Sequence, residues 1–266
     1  MSLFINLCNL LLVKLRYFLI RYRYNFQNFN KLKKNNKNKI LKALDDNGYY
    51  VVRNYFKEYE CQKIIKEIDS FIKKYPNQTY LNKLGYDRRI FGAQNINSKG
   101  IKKFYSSRFI KIIGSHFYFT SLKNLMTMAN RTVFKKKNLG SGDGWHRDSV
   151  NKQFKSILYL VDTNTKNGSF QIIKNSHKFF QIVRDNTVLN SKITNTRFID
   201  NKINKLKKRI HSISGKAGTL IIVDTSLIHR GSPLKRGIRY ALTNYYYPKY
   251  LIENYKNHFV PMLTKN

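Results

Sequence analysis

A chain of 266 residues, 42% hydrophobic and 14% aromatic, can bury one sizeable core, which excludes a disordered protein. Two cysteines, Cys8 and Cys61, exclude a disulfide framework or a cysteine-built zinc site and fit a reducing compartment, the cytoplasm by default. The 51 Lys+Arg against 14 Asp+Glu give a formal charge of +37, but Lys far outnumbers Arg and the cations are scattered, a composition typical of A+T-rich coding, so specific nucleic-acid recognition is not expected.

Residues 1–24 are largely apolar. Phe4, Leu11, Leu15, Phe18 and Leu19 share one helical face, while Asn6, Asn9, Arg16 and Arg23 fall on the other. Lys14 and Arg16 interrupt the run, which leaves it too short for a membrane-spanning helix. The charges follow the apolar stretch instead of preceding it, against a secretory signal. Two readings stand: a helix lying on an anionic membrane, peripheral to its inner face, or a helix packed on the body of the protein. Residues 31–39 read as a solvated Lys/Asn-rich linker. The division is therefore an N-terminal segment, 1–36, and a single domain, 37–266.

Residues 40–46 predict a short helix stopped by Asn47-Gly48, residues 49–53 a strand, and residues 57–74 an amphipathic helix ended by Pro76. Residues 80–119 have weak periodicity, with a helical tendency at 106–115. Beyond them, residues 125–134, 156–161, 169–173, 219–223 and 239–247 read as short strands separated by turns such as Gly140-Ser-Gly142 and Asn167-Gly168. The fold class is mainly β with flanking helices, a barrel or jelly roll. Residues 178–210 are polar and poor in strand signal, which places a helical or loop insertion at the barrel mouth.

Chemistry concentrates in Gly144-Trp145-His146-Arg147-Asp148. On an extended segment His146 and Asp148 point to the same side and can grip one metal ion, with Arg147 pointing away. The best third ligand is His229, which follows the apolar run at 219–228. Two histidines and one carboxylate on one face of a metal, with the opposite positions open, is the arrangement of non-haem Fe(II) oxygenases. His177, in Asn175-Ser-His-Lys178, reads as a hydrogen-bonding turn residue, and His116, His211 and His258 have no identifiable partner. Trp145 reads as core beneath the loop.

His146, Asp148, Asn167-Gly168-Ser169-Phe170, Asn175-Ser-His-Lys178, His229 and Arg239, taken in order with Leu44-Asp-Asp-Asn-Gly-Tyr-Tyr-Val-Val52, resemble the phytanoyl-CoA dioxygenase family. The resemblance covers about residues 40–248. It implies a double-stranded β-helix (cupin-like barrel) and an Fe(II)- and 2-oxoglutarate-dependent oxygenase that uses O2 and releases succinate and CO2. Carried over by residue, it implies His146, Asp148 and His229 as catalytic metal ligands and Arg239 as the co-substrate arginine. A planar guanidinium suits the distal carboxylate of 2-oxoglutarate through two parallel charge-assisted bonds. Related halogenases carry a small residue in place of the carboxylate, so Asp148 implies hydroxylation over halogenation; the substrate expected is a small molecule or conjugated metabolite, anionic if the chain's positive charge lines the pocket. The rivals are an oxygenase acting on nucleic acid and a catalytically inactive barrel at a membrane surface. The family's Gly before Ser-His is Asn175 here, which a left-handed turn tolerates.

Overall fold

The computed structural model describes residues 2–25 and 38–252. Helix α1 spans Leu3–Asn25, α2 Asn38–Asn47, strand β1 Tyr49–Val52 and α3 Glu58–Lys74. The weakly patterned region holds β2 (Tyr80–Leu81), β3 (Asp87–Phe91), α4 (Lys99–Tyr105) and α5 (Arg108–Tyr118). Strands β4 (Leu122–Val133), β5 (Phe154–Tyr159) and β6 (Phe170–Ile173) follow. Helices α6 (Phe179–Val188) and α7 (Asp200–Ile203) precede β7 (Ile210–Ile213), β8 (Leu220–Asp224), β9 (His229–Gly231) and β10 (Ile238–Pro248).

The strands form a seven-stranded sheet, β1-β8-β5-β10-β4-β3-β2, and a three-stranded sheet, β7-β6-β9, with every pairing antiparallel. Together they are the expected jelly roll. Period-two alternation explains how β8 can be buried along its whole length. Leu220 and Ile222 face the helical layer, where Ile64 and Ile68 of α3, Phe104 of α4 and Ile110 of α5 complete the main core. Ile221 and Val223 face the small sheet and meet Phe170, Ile172 and Ile213. Neighbouring β5 divides the same way, with Leu158 toward the helices and Ile157 and Tyr159 toward the small sheet. Residues on β5 in phase with Ile157 therefore look into the space between the sheets.

The structure corrects the predicted elements in three places and keeps the expected 178–210 insertion. Strands β2, β3, β7 and β9 and helix α4 carry too little sequence to show a period, and β4 starts three residues before the predicted strand. The metal-ligand segment is irregular and lies outside the named strands, tied to the small sheet by isolated bridges of His146 with His229 and Arg197. Residues 178–210 fold as two helices and a 3-10 turn ahead of β7. Most of the linker, like His258, lies outside the described residues.

Helix α1 docks through Leu10, Leu7 and Val13 onto Val150, Ile182, Val183 and Ile193. Asn6 donates to the Thr187 hydroxyl at 3.0 Å, and Lys14 Nζ donates to the Val150 carbonyl at 2.6 Å. Burial pushes the Lys14 ammonium down to about 8. Among the described residues no helix is long and apolar enough to cross a membrane.

Candidate metal centre

The backbone brings the site together before any side chain acts. His146 and His229 are antiparallel partners: the His146 amide donates to the His229 carbonyl at 2.9 Å and the His229 amide returns a bond to the His146 carbonyl at 2.7 Å. Their rings lie with centroids 4.3 Å apart. The Asp148 amide donates to the Thr225 carbonyl at 3.0 Å, which pins the carboxylate beside them. One ligand atom from each of His146, Asp148 and His229 falls within 4.8 Å of the others.

Both imidazoles are oriented for a metal. His146 Nδ1 lies 2.9 Å from the Gly144 carbonyl, and His229 Nδ1 lies 2.9 Å from the Leu227 carbonyl. A carbonyl only accepts, so each Nδ1 carries the proton and each Nε2 keeps a lone pair for a cation. His229 Nε2 points toward Asp148 Oδ2 at 3.9 Å. Burial, then the His146 ring, pushes the His229 pKa down to about 3, and burial lowers that of His146 as well, so both are neutral. Burial works against ionising Asp148, but the Lys155 ammonium paired with it outweighs that and holds the carboxyl below its ordinary range. Two neutral imidazoles and a carboxylate are the donor set of a divalent first-row metal with open positions. Gly142, in the left-handed region at φ 91°, leaves room for the His146 ring; a Cβ there would lie 2.4 Å from His146 Cε1.

A cavity of about 230 Å³ opens beside this group. Arg239, 4% exposed, enters it from the start of β10 and lies over the Tyr159 ring at 5.7 Å. Its Nη1 donates to Asn130 Oδ1 at 3.2 Å, and its Nε has no partner. Among the described residues no carboxylate forms an ion pair with it. The Asn167-Gly168 turn packs on this arginine: a Cβ at Gly168, φ 94°, would lie 2.9 Å from Arg239 Cδ. Behind it, buried Asp87 accepts from Asn130 Nδ2 and from Arg89 Nη2, the latter at 2.5 Å, so one carboxylate braces two cavity-lining side chains.

Sequence reasoning passed over Lys155, Arg89 and Arg197. Lys155 Nζ forms an ion pair with Asp148 Oδ2 at 2.7 Å and sits 4.0 Å over the Tyr245 ring. Its signal was present, since a lysine in phase with Ile157 on an otherwise apolar strand must point inward. Arg197 comes from the insertion and donates to the Gly142 carbonyl at 2.8 Å, closing the cavity mouth.

The other described histidines stay away from the metal group. His177 Nε2 bonds to the Asp45 carbonyl at 2.9 Å, the expected turn role, with Asn175 left-handed at φ 65°. His211 lies against Tyr49, and His116 sits in the last turn of α5. Trp145 is core, packed with Ile173, Leu189 and Ile228 under the Arg230 guanidinium. Arg147 is buried away from the cleft, 5.6 Å from the Phe198 ring. Thr243 lines the cavity, whereas Ser232 meets Ser169.

A jelly roll with this donor set in its cleft has the architecture of the Fe(II)- and 2-oxoglutarate-dependent oxygenases. The chain belongs to the phytanoyl-CoA dioxygenase family, whose model matches residues 44–237. Among solved structures it is similar to EctD from S. alaskensis with bound Fe, at 18% identity, covering 82% of this chain and 78% of that one with a TM-score of 0.61. It is also similar to the epimerase SnoN from nogalamycin biosynthesis in complex with Fe3+, alpha ketoglutarate and nogalamycin RO, at 12% identity, 79% and 82% coverage and a TM-score of 0.61. HygX from Streptomyces hygroscopicus with nickel, 2-oxoglutarate and hygromycin B gives 16%, 79%, 87% and 0.55. At these identities the likeness is one of fold. No curated protein sequence matches the chain. Iron and 2-oxoglutarate, with O2 as oxidant, are the cofactor and co-substrates of this chemistry.

Proposed function

We propose that residues 37–266 form one oxygenase domain, with 1–36 as an N-terminal extension, and that it hydroxylates a small anionic molecule. In this reading His146, Asp148 and His229 hold Fe(II), and Arg239 anchors the distal carboxylate of 2-oxoglutarate. The observation that carries it is the convergence of two Nε2 lone pairs and the Asp148 carboxylate beside a buried guanidinium that lacks a counter-ion. Bound Fe(II) with 2-oxoglutarate supplies the oxidant: one atom of O2 enters the substrate as hydroxyl, the other enters succinate, and CO2 leaves.

The remaining work falls to the chain. Arg239 fixes the co-substrate through its fork, with Asn130 and the Gly168 turn fixing Arg239. Arg197 and the small sheet exclude water. Four cationic side chains, Arg89, Lys155, Arg197 and Arg239, line the cleft against one carboxylate, Asp148. Even with the co-substrate's two negative charges balancing the metal's two positive ones, cations remain in excess, which favours an anionic substrate. HygX and SnoN hold small molecules, hygromycin B and nogalamycin RO, in the same fold.

The test is anaerobic titration with Fe(II) and 2-oxoglutarate, followed by O2 and measurement of succinate and of oxygenated product. A wild type that binds neither would leave a catalytically inactive barrel. Turnover stimulated by DNA or RNA and by no small anion would assign a nucleic-acid substrate. A substrate returned inverted or cyclised, without added oxygen, would replace hydroxylation by the outcomes that SnoN and the carbocyclase SnoK represent.

Two further results are expected. Because both histidines stay neutral below the ordinary value of 6.5, Co(II) binding releases almost no protons at that pH, and its affinity is flat from there upward to neutrality. Calorimetry in buffers of different ionisation enthalpy measures this, and release of one or more protons would contradict it. Lys155 and a metal share one carboxylate, so Lys155→Met raises divalent-metal affinity by roughly tenfold, ~1.4 kcal/mol, in a chelator competition. Unchanged or weaker binding would mean that Lys155 supports the ligand set.

A further inference from the structure

Helix α1 is docked by the opposite face from the one its hydrophobic pattern selects. Amphipathic helices bury their apolar stripe against the body of the protein. Among residues 3–19, whose side chains are described, the buried ones are Leu10 and the polar Asn6, while Phe4, Leu11, Leu12, Leu15, Phe18 and Leu19 are 51% to 74% exposed. At 100° per residue these six fall within an arc of about 120°. The arc faces away from α6 and the Val150 segment, which hold the other side. Contiguous apolar exposure on this scale marks a binding surface, unlike single scattered side chains.

The exposed surface around the docked helix is cationic. Arg16 on α1, Lys152 beside Val150, Arg184 on α6 and Lys192 beside Ile193 are all exposed. Helix α1 contains no acidic residue, and the only one on α6, Asp185, is buried and paired with Arg209. The segments 149–153 and 190–195 contain none. Two copies of this chain meeting through the stripe would bring like-charged rims together in a protein of net charge +37. An anionic bilayer accepts both features, with the apolar side chains among the acyl chains and the cations at the headgroups. We infer that α1 is a membrane-surface docking helix: its Asn6/Leu10 side fastens it to the oxygenase domain, and its Phe4/Leu11/Leu15/Phe18 side enters an anionic lipid surface.

The experiment is sedimentation of the full chain with phosphatidylcholine vesicles, with and without phosphatidylglycerol. The wild type is expected to partition onto the anionic vesicles and far less onto neutral ones. The variant F4S/L11S/L15S/F18S changes four exposed side chains of the stripe. It is expected to lose at least about tenfold in partition while keeping the wild-type circular dichroism and melting temperature. A second variant, R16E/K152E/K192E, leaves the stripe intact and is expected to lose anionic binding alone. Absence of wild-type binding to anionic vesicles overturns the inference, as does binding indifferent to both variants. A dimer in light scattering that F4S/L11S/L15S/F18S converts to monomer overturns it by assigning the face to a second copy. Vesicle binding that emerges only when residues 253–266 are removed overturns it by assigning the face to this chain's own C-terminal segment.

Discussion

Asp148→Ala is expected to abolish metal binding and 2-oxoglutarate turnover together, by at least about three orders of magnitude. It should also destabilise the fold, for a separable reason. Lys155 has a 9% exposed side chain and its carboxylate partner is Asp148, so the substitution strands a buried ammonium. Breaking a buried ion pair from one side costs about 3–5 kcal/mol. A lost metal site and a lost fold then look alike in an activity assay. The double variant D148A/K155M separates them, because it removes both charges: its melting temperature should recover most of the loss while metal binding stays absent. Thermal melts of the apo-proteins and metal analysis after dialysis give the two readouts. Wild-type metal content in Asp148→Ala would remove the carboxylate from the ligand set.

The second large effect concerns Arg239. Truncation to alanine removes a buried cavity cation that, among the described residues, forms no ion pair with a carboxylate, and 2-oxoglutarate affinity should fall by about a hundredfold or more, ~3 kcal/mol, with metal affinity unchanged. Arg239→Lys keeps the charge without the fork, so it should recover only part of the loss. The Asn130 contact adds geometry to this expectation, since that amide is itself held by Asp87 and would be left facing an amine of different reach. Calorimetric titration of 2-oxoglutarate into the metal-loaded variants measures both. Equal affinity in Arg239→Ala and wild type would move the anchor to another cation of the cleft, with Arg89 and Lys155 next in line.

The four residues carried by motif were legible because each belongs to a short pattern with few meanings. His146 and Asp148 are two apart, His229 closes an apolar run, and Arg239 opens the last long strand. The structure places all of them around one cavity. Arg89 and Arg197 were illegible for a compositional reason: in a chain with 51 Lys+Arg, one more cation carries no contrast until its partner is known, whereas Lys155 could be found only from its phase with Ile157. The long strands β4 and β10 and the wholly apolar core of β8 were readable from their apolar and β-branched runs. Strands of two to five residues such as β2, β3 and β9 owe their existence to a neighbour's edge, which no local period records. Helix α1 taught a different lesson. Its period gave the helix, but the usual rule that the greasy face turns inward would have docked it the wrong way round.

The paired backbones of His146 and His229 bear on what a metal would add to the fold. These residues are 83 positions apart, and two amide–carbonyl bonds already hold them side by side. Closing that long loop is therefore accomplished during folding and is not left to the cation. A metal bound here is therefore expected to add thermal stability by mass action, without having to close the loop itself. Raising free Co(II) should shift the melting temperature smoothly, with no change in the secondary structure seen before melting.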